Sequence, residues 1–320
     1  MRSYLVTGGC GFIGSHLADA LIARRHRVRI LDDLSTGLRA NAPAEAELIV
    51  GDVADEPTVR RAMDGMDGCF HLAAIASVQK SVEAWRPTHR VNLGGTINVL
   101  EAAHESGGLP VVYASSAAVY GDDPALPLRE TAPFRPNSPY GADKAACELR
   151  RMRRSPCAGC RAPACDSSTS TGRVRIRLAL FGRYSIFADR LLTGKPLTIF
   201  GGGSRAISSS SATWWPLLLA MERQDKSARV FNVARGEAVS LLRLVAALER
   251  VAGRKASVRH APPRAGDDRH SAGDARRIRD SLGFAAKVEL EEGWPRFWAG
   301  CDPRRAPAPS RPSGQRLGIK

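Results

Sequence analysis

Residues 3–18 read SYLVTGGCGFIGSHLA, a short apolar strand followed by spaced glycines and the start of a helix. Gly8, Gly11 and Gly14 would let the backbone approach a pyrophosphate closely. The N-terminus of the helix behind them offers free N–H groups and the positive end of a dipole. The spacing therefore predicts a dinucleotide-binding turn that includes Phe12 and Ile13. The alternative is a glycine-rich turn that binds no ligand.

The next predicted strand, Val28–Leu31, is followed by Asp32. This acid lies roughly 20 residues past the glycines, where a Rossmann-type domain places the carboxylate that binds the adenosine ribose. A 2′-phosphate beside a carboxylate would be repelled, so Asp32 favours NAD over NADP. The alternative is a solvated acid at the end of a strand.

Strands and helical segments alternate along the following sequence. Further apolar strands are predicted at residues 47–50, 68–74 and 110–114. This alternation predicts an α/β fold, a Rossmann-type doubly wound parallel sheet, with a smaller C-terminal α/β region that binds substrate. Ligands of such sheets lie beyond the carboxyl ends of the strands. Asp32, Asp52, Ala73 and Ser116 all lie at predicted strand ends and should meet in one crevice.

Tyr140 and Lys144 stand four residues apart in the stretch YGADK. On a helix both side chains would lie on one face. A phenol alone is a poor base at neutral pH, and a neighbouring cation favours its ionised form. The pair is therefore a candidate general acid/base, although Tyr-x-x-x-Lys alone is common by chance. His71, at a strand end, is expected to be structural rather than catalytic.

Ten stretches resemble one known family, and they run from residue 1 to about residue 300 with two interruptions. They are TGGCGFIGSHLA, LDDLSTG, GDV, HLAA, NLGGTINVLEAA, YASSAAVYGD, SPYGADKAACE, KPLTIFGGGS, FNVARGEAVSL and APPRAGDDRHS. The family is the extended short-chain dehydrogenases/reductases, in its nucleotide-sugar epimerase/dehydratase branch. Within that branch the stretches are most similar to those of the UDP-glucose 4-epimerases.

The resemblance implies NAD as the cofactor and a UDP-sugar as the substrate. The implied NAD contacts are Gly8, Gly11, Phe12, Ile13 and Gly14 at the pyrophosphate, Asp32 at the adenosine ribose, Asp52 and Val53 at the adenine, Leu72, Ala73 and Ala74 along the dinucleotide, and Tyr140 and Lys144 at the nicotinamide end. The implied catalytic residues are Ser116, Tyr140 and Lys144. The implied substrate contacts are Ser116, Thr198, Phe200, Arg264 and Asp267.

The reaction that the resemblance implies is epimerisation at C4 of a UDP-hexose, of the UDP-glucose/UDP-galactose type, through a transient 4-keto sugar. Tyr140 would take the proton of the 4-hydroxyl while hydride passes to NAD. Dehydratases of the family carry an Asp-Glu pair after the catalytic hydroxyl, where this chain has Ala117 and Ala118. The alanines therefore favour an epimerase over a dehydratase. A reductase, a decarboxylase and epimerases of N-acetylated or uronic sugars remain open.

The resemblance is lost over residues 153–183 and 206–216. There the family has motifs such as FFNVYGPRQDP and RDFVYVDDVV, which supply a phosphate-binding Asn and Arg. Codons can be chosen so that a shift of one base restores motifs of this kind in both segments. We therefore hypothesise two compensated frameshifts, real or introduced by sequencing. A catalytically impaired homologue that binds NAD is the alternative function.

The cysteines suggest neither a metal site nor disulfides. Three of them, with finger-like spacing, are Cys157, Cys160 and Cys165. A structural zinc site requires four ligands, and no fourth ligand is evident near these cysteines, so we predict no metal. Three others, expected to be buried free thiols, are Cys10, Cys69 and Cys147. No secretory signal precedes the first strand, and we expect a cytoplasmic protein.

Composition argues against nucleic-acid and membrane partners. The chain of 320 residues has a net charge of +15, but aromatic residues are 6% and are not interleaved with the arginines, so it lacks a base-stacking platform. It has no run of about 18 apolar residues. The predicted regions are an NAD-binding Rossmann domain (1–180), a substrate-binding region (181–300) and a disordered tail (301–320). The resemblance implies a homodimer.

Overall fold

The computed structural model describes residues 1–149, 174–178, 182–201, 214–222, 229–234, 240–264, 266 and 272–285. The strands in these ranges are β1 (Ser3–Thr7), β2 (Arg27–Asp32), β3 (Glu47–Val50), β4 (Gly68–His71), β5 (Val111–Ser116), β6 (Val174–Leu178), β7 (Leu197–Phe200), β8 (Arg229–Val233) and β9 (Val258–Ala261). The α-helices are α1 (Phe12–Ala23), α2 (Glu56–Met63), α3 (Val78–Glu83), α4 (Trp85–His89), α5 (Gly95–Glu105), α6 (Pro139–Leu149), α7 (Gly182–Leu192), α8 (Trp214–Glu222), α9 (Leu241–Ala252) and α10 (Arg276–Leu282).

One parallel sheet of seven strands carries the fold, in the order β3, β2, β1, β4, β5, β6, β8. In its centre Val6 of β1 pairs with Ile30 of β2 on one side and with Phe70 of β4 on the other. The strand order reverses between β1 and β4, and such sheets bind ligands in the crevice beyond the strand ends at this point. The predicted α/β doubly wound fold is confirmed.

Every residue of β1 is buried, as expected of a parallel strand that helices cover on both faces. Successive side chains point to opposite faces, so neighbouring residues join different clusters. Leu5 packs in the cluster of Val59 on α2 and Val99 on α5, whereas Val6 packs in that of Leu17 on α1. This two-sided core fixes the strand ends from which the site is built.

A smaller sheet pairs β7 with β9. Ile199 of β7 packs there in a separate cluster with Phe187 of α7 and Leu248 of α9. The chain also returns to the large sheet after residue 180, because Phe231 of β8 lies in the core of that sheet. The predicted domain boundaries therefore stay a prediction, and the predicted tail lies outside the described residues.

Within the described ranges, no helix is long and apolar enough to cross a bilayer. The same residues bring together no three His, Cys, Asp or Glu side chains that could hold a metal ion. Cys10, Cys69 and Cys147 are buried free thiols, as predicted. The cysteines of the zinc alternative, Cys157, Cys160 and Cys165, lie outside the part of the chain that the structure describes.

Candidate active site

The glycine turn after β1 touches the loop after β4. Gly8 has φ of +71°, which side chains rarely adopt, and a Cβ on it would lie 2.7 Å from the backbone nitrogen of Ala73. A Cβ on Gly14 would collide with the carbonyl oxygen of Gly8. Both positions therefore require glycine. The contact also places Leu72 and Ala73 beside the turn, where the sequence predicts the dinucleotide.

Helix α1 begins directly behind this turn, with Gly11 as its N-cap. Gly11 has no side chain, so no cap covers the N–H groups of the first turn. Phe12 on that turn is 46% exposed, whereas Ile13 packs partly against the core. This helix end fits the pyrophosphate of a dinucleotide.

Asp32 is buried at the end of β2 and holds the glycine turn in place. Its Oδ2 accepts from the N–H of Cys10 at 2.9 Å, and its Oδ1 accepts from the N–H of Leu34 at 2.9 Å. A carboxylate has about four acceptor positions, so both oxygens can still accept from ribose hydroxyls. A solvated acid, the alternative from the sequence, does not describe this residue.

Asp52 and Val53 follow β3, at the next strand end. Asp52 accepts from the N–H of Ala54 at 2.8 Å and forms an ion pair with Arg90. Val53 is buried, and a Cβ on Gly95 would lie 2.6 Å from its Cγ2. Gly95 thus lets α5 pack closely on the pair of residues that is predicted to face adenine.

His71, the last residue of β4, is a buried link between β1 and α5. Its Nδ1 lies 2.7 Å from Thr7 Oγ1, and its Nε2 lies 3.0 Å from Thr96 Oγ1. Thr96 donates its hydroxyl proton to the carbonyl of Asn92, so the ring donates from Nε2 and accepts at Nδ1. Burial, and to a lesser degree the charge of Lys144, lowers the pKa of His71 to about 3. The ring is therefore neutral and structural, as predicted.

Asn92 fixes the loop that follows His71. Its Oδ1 accepts from the N–H of Ile75 at 2.8 Å, and its Nδ2 donates to the carbonyl of Ile75 at 3.3 Å. Asn92 is fully buried in a π-helix (Arg90–Gly94) between α4 and α5. Such π segments occur frequently at functional sites. Through Ile75, Asn92 sets the path of Ala74 and the residues before it.

Ser116 ends β5 at the same edge of the sheet. Its Oγ accepts from the N–H of Ala118 at 3.2 Å, in a short 3-10 helix (Ala117–Val119). As acceptor in this bond, Ser116 does not use its own hydroxyl proton, which can be donated to a ligand.

The first turn of α6 packs tightly on this 3-10 helix. A Cβ on Gly141 would lie 2.6 Å from the carbonyl oxygen of Ala118, so glycine is needed for the approach. The N–H of Tyr140 donates to Ser81 Oγ at 3.1 Å, which ties the start of α6 to α3. These contacts place Tyr140 beside the element that begins at Ser116.

Lys144, one turn further along α6, is buried and anchored to β5. Its Nζ donates to the carbonyl of Ala114 at 3.0 Å and lies 6.0 Å from the centre of the Tyr140 ring. The predicted catalytic residues Ser116, Tyr140 and Lys144 thus lie on two elements that pack directly together. Their catalytic roles stay a prediction.

Further polar side chains are buried along α6. Glu148 is fully buried and accepts from Ser115 Oγ at 2.5 Å. Asp143 is buried and accepts from His89 Nδ1 at 2.7 Å. Since these bonds run to β5 and α4, they fix the rotation of α6 and with it the direction of Tyr140.

The predicted substrate residues lie at the small sheet. The guanidinium carbon of Arg264 lies 3.5 Å from the centre of the Phe200 ring, a cation–π contact. The planar guanidinium carries N–H groups whose geometry suits an anion. Thr198 Oγ1 lies 3.4 Å from Nη1 of Arg190. Asp267 lies outside the described residues.

Gly266 brings this region against the catalytic helix. It has φ of +79°, and a Cβ on it would lie 3.1 Å from Cβ of Ser138 and 3.3 Å from the carbonyl oxygen of Asn137. Ser138 in turn accepts from the N–H of Gly141 at 3.1 Å at the start of α6. Gly266 therefore lies close to the turn that carries Tyr140.

Comparison with known proteins agrees with this geometry. The model of the NAD dependent epimerase/dehydratase family matches residues 4–206. The UDP-glucose 4-epimerase of Mycolicibacterium smegmatis is 35% identical over 309 residues, which cover 90% of this chain and 95% of that protein. The chain belongs to the NAD-dependent epimerase/dehydratase family. The crystal structure of the Thermus thermophilus UDP-glucose 4-epimerase complex with NAD covers 94% of this chain and 100% of its own, with TM-score 0.83 and 31% identity.

Epimerase/dehydratase family members with other names are similar too. The dTDP-glucose 4,6-dehydratase of Streptomyces griseus is 31% identical over 308 residues, 90% of each chain. The UDP-N-acetylglucosamine 4-epimerase from Methanobrevibacter ruminantium has TM-score 0.80 and 28% identity, over 92% of this chain and 96% of that one. NAD, the predicted cofactor, is confirmed by the family, and the glycine turn with Asp32 fits it. The sugar is not decided by these relatives.

Sequence motifs missed several residues that this family member uses to build its site. Thr7, Thr96 and Ser81 hold His71 and Tyr140 from other elements, and single hydroxyl residues give no local signal. Glu148 could have been found, because it continues the four-residue spacing from Tyr140 through Lys144 on one helix face.

Proposed function

We propose that this protein epimerises a UDP-hexose at C4, with NAD as its bound redox cofactor. One observation carries the proposal: Tyr140 and Lys144 lie on a helix packed against a 3-10 helix that contains Ala117 and Ala118. Dehydratases that the sequence resembles carry an acidic pair at those two positions. Methyl groups here cannot donate the proton that elimination of water needs.

Tyr140 acts as the general base on the 4-hydroxyl and later returns the proton to the same oxygen. When bound, NAD would supply a reversible acceptor for the C4 hydride, held by the glycine turn and Asp32. Ser116 donates a hydrogen bond from its hydroxyl to the reacting oxygen. Lys144, whose Nζ lies 6.0 Å from the centre of the Tyr140 ring, stabilises the negative phenol oxygen that takes this proton.

The UDP moiety would lie along the small sheet. Arg264 stacks on Phe200, and this stack orients the guanidinium plane so that its N–H groups can bind a diphosphate in a bidentate manner. Gly266 lies against Ser138, at the start of the catalytic helix. The nucleotide and the reacting sugar would then be held by neighbouring parts of the chain.

The direct test is to incubate the purified protein with UDP-galactose and to measure UDP-glucose, without added cofactor. Wild type should form product with no net formation of NADH. Tyr140→Phe should keep its bound NAD and lose about 100-fold to 10,000-fold in kcat, the range expected for loss of a general base. Equal turnover by Tyr140→Phe would refute the assigned role. Parallel reactions with UDP-N-acetylglucosamine and UDP-glucuronic acid would identify another sugar.

A second candidate is an impaired homologue that binds NAD without turnover. It is favoured by the unfamiliar sequence at residues 153–183 and 206–216, where the related motifs supply phosphate contacts. Bound NAD with no turnover on any UDP-sugar would support this candidate. A reductase would instead consume added NADH or NADPH. Resequencing the coding DNA tests the frameshift hypothesis, and an unbroken frame for the printed sequence would exclude a sequencing error.

Two further expectations concern assembly and location. A homodimer should give twice the chain mass of 34.4 kDa in light scattering, and a value equal to one chain would contradict it. The cytoplasmic location stays a prediction, which fractionation of cells that express the protein would test.

A further inference from the structure

A long segment, residues 120–137, connects the 3-10 helix after Ser116 to the N-cap of α6, and we call it the strap. Its buried residues pack directly on the catalytic helix. Tyr120 and Leu128 form one hydrophobic cluster with Val119 and with Ala145, the residue that follows Lys144. A displacement of the strap would therefore move α6 relative to Ser116.

Asn232 holds the strap from β8, the last strand of the large sheet. Its Oδ1 accepts from the hydroxyl of Tyr120 at 2.8 Å, and its Nδ2 donates to the carbonyl of Leu128 at 2.8 Å. Its backbone N–H donates to Oε1 of Glu130 at 2.8 Å. Asn232 is 2% exposed, and both bonds of its side chain are buried.

The geometry explains why an amide is needed here. Among the strands that the structure describes, β8 pairs with β6 on one side only, so its other edge presents backbone groups that need partners. Glu130 accepts from that edge, while the side chain of Asn232 bonds Leu128 and Tyr120 at two other points of the strap. An amide can donate and accept at once, whereas an apolar side chain of similar size would satisfy neither partner.

A second anchor also bonds the backbone of Leu128. The N–H of Leu128 donates to the carbonyl of Ala272 at 2.7 Å, and its carbonyl accepts from the N–H of Asp274 at 2.8 Å. The carboxylate of Glu130 also lies 3.7 Å from Nε of Arg277. The middle of the strap is thus fixed between β8 and the segment that leads into α10.

We propose that Asn232 is a positioning residue: through Tyr120 and Leu128 it sets the distance and angle between Ser116 and the helix that carries Tyr140. The inference rests on the proposed function, because it assigns a catalytic consequence to that spacing. If so, the rate of the chemical step depends on β8, which acts on the site through its bonds to the strap.

The experiment compares Tyr120→Phe, which removes one hydroxyl, and Asn232→Leu, which removes both side-chain bonds. Met63→Ala is the matched control, because Met63 is fully buried but ends α2 at the opposite edge of the sheet from the crevice. Hydrogen exchange of the NAD-bound protein is measured first. Steady-state rates with UDP-galactose, and with UDP-galactose deuterated at C4, are then measured per bound NAD.

In both strap variants, amide exchange should accelerate over residues 120–149 and stay unchanged over residues 3–32. Asn232→Leu should lose about 10-fold to 100-fold in kcat, and Tyr120→Phe less, with KM changed by less than about 3-fold. The isotope effect should rise, because hydride transfer becomes more rate-limiting. Met63→Ala should lower thermal stability while kcat per bound NAD and the isotope effect stay at the wild-type values.

Two results would overturn the inference. Unchanged exchange over residues 120–149 would show that Asn232 does not hold the strap, whatever the activity. Faster exchange with unchanged kcat and isotope effect would show a role in stability alone. If wild type itself turns over no UDP-hexose, the proposed function fails separately, and the exchange data alone decide whether Asn232 anchors the strap.

Discussion

Acid should destabilise this protein through His71, a buried ring placed between Thr7 and Thr96. Burial lowers its pKa from 6.5 to about 3 in the folded state. His71 is therefore protonated in the unfolded chain at pH values at which the folded ring stays neutral. The free energy of unfolding falls as pH is lowered from about 6.5 towards about 3. Protonation would also place an N–H against the hydroxyl proton that Thr7 donates.

The size of the effect follows from the two pKa values. Between pH 7 and pH 5, a single group with these values contributes a loss of about 2 kcal/mol in the free energy of unfolding. His71→Gln cannot titrate in this range, and the other ionisable groups are common to both proteins. The difference in pH dependence between wild type and His71→Gln therefore isolates the ring.

Urea denaturation at pH 7 and pH 5, with both proteins in the same NAD-bound state, measures this difference. Wild type should lose about 2 kcal/mol more than His71→Gln over the interval, even though the variant is less stable at pH 7. Equal losses in the two proteins would refute the reasoning and would mean that His71 is protonated in the folded state at pH 5.

Three substitutions test other parts of the site. Gly8→Ala should abolish retention of NAD, because the new Cβ would lie 2.7 Å from the backbone of Ala73. The control Gly65→Ala has the same φ of +71° but a Cβ with no atom within 4 Å, so it should lower the free energy of unfolding by only about 1 kcal/mol and keep NAD. Equal NAD content in the two variants would contradict this. Asp32→Asn should weaken NAD binding about 10-fold or more in calorimetry, since the new NH2 group would face the N–H of Cys10 or of Leu34. Unchanged affinity would contradict the proposed contact between Asp32 and NAD. Gly141→Ala should lower kcat at least about 10-fold with little change in bound NAD, and normal kcat would show that the approach of α6 is not critical.

Local signals predicted the glycine turn, the acid and the helix from which the expected cofactor site is built. The turn at Gly8 and the acid Asp32 are defined by short spacings around strand ends, and the structure brings them together as expected. The Tyr140–Lys144 spacing likewise predicted that both residues lie on one helix. Each of these features lies within one or two neighbouring elements, so its pattern can be recognised in the printed sequence.

The residues expected to bind the substrate were harder to predict from the sequence. Thr198, Phe200 and Arg264 were assigned by resemblance, and the structure adds that Arg264 stacks on Phe200, a contact that no spacing along the chain suggests. Asp267 and most residues of the two unfamiliar segments lie outside the described residues, so their assignments stay predictions. The domain boundary at residue 180 stays a prediction, and β8, which follows it in the chain, pairs in the large sheet.

By itself, the sequence determined the doubly wound class, the family resemblance and the preference for NAD, because strand, glycine turn, helix and acid follow one another at short, fixed distances. Only the tertiary structure decided how the catalytic elements are held. His71 bonds Thr7 and Thr96, and Asn232 bonds Tyr120, across distances of up to 112 residues along the chain. Such bonds form between polar groups that lose water when the sheet and helices pack. Which groups these are cannot be recognised from a periodic pattern in the sequence.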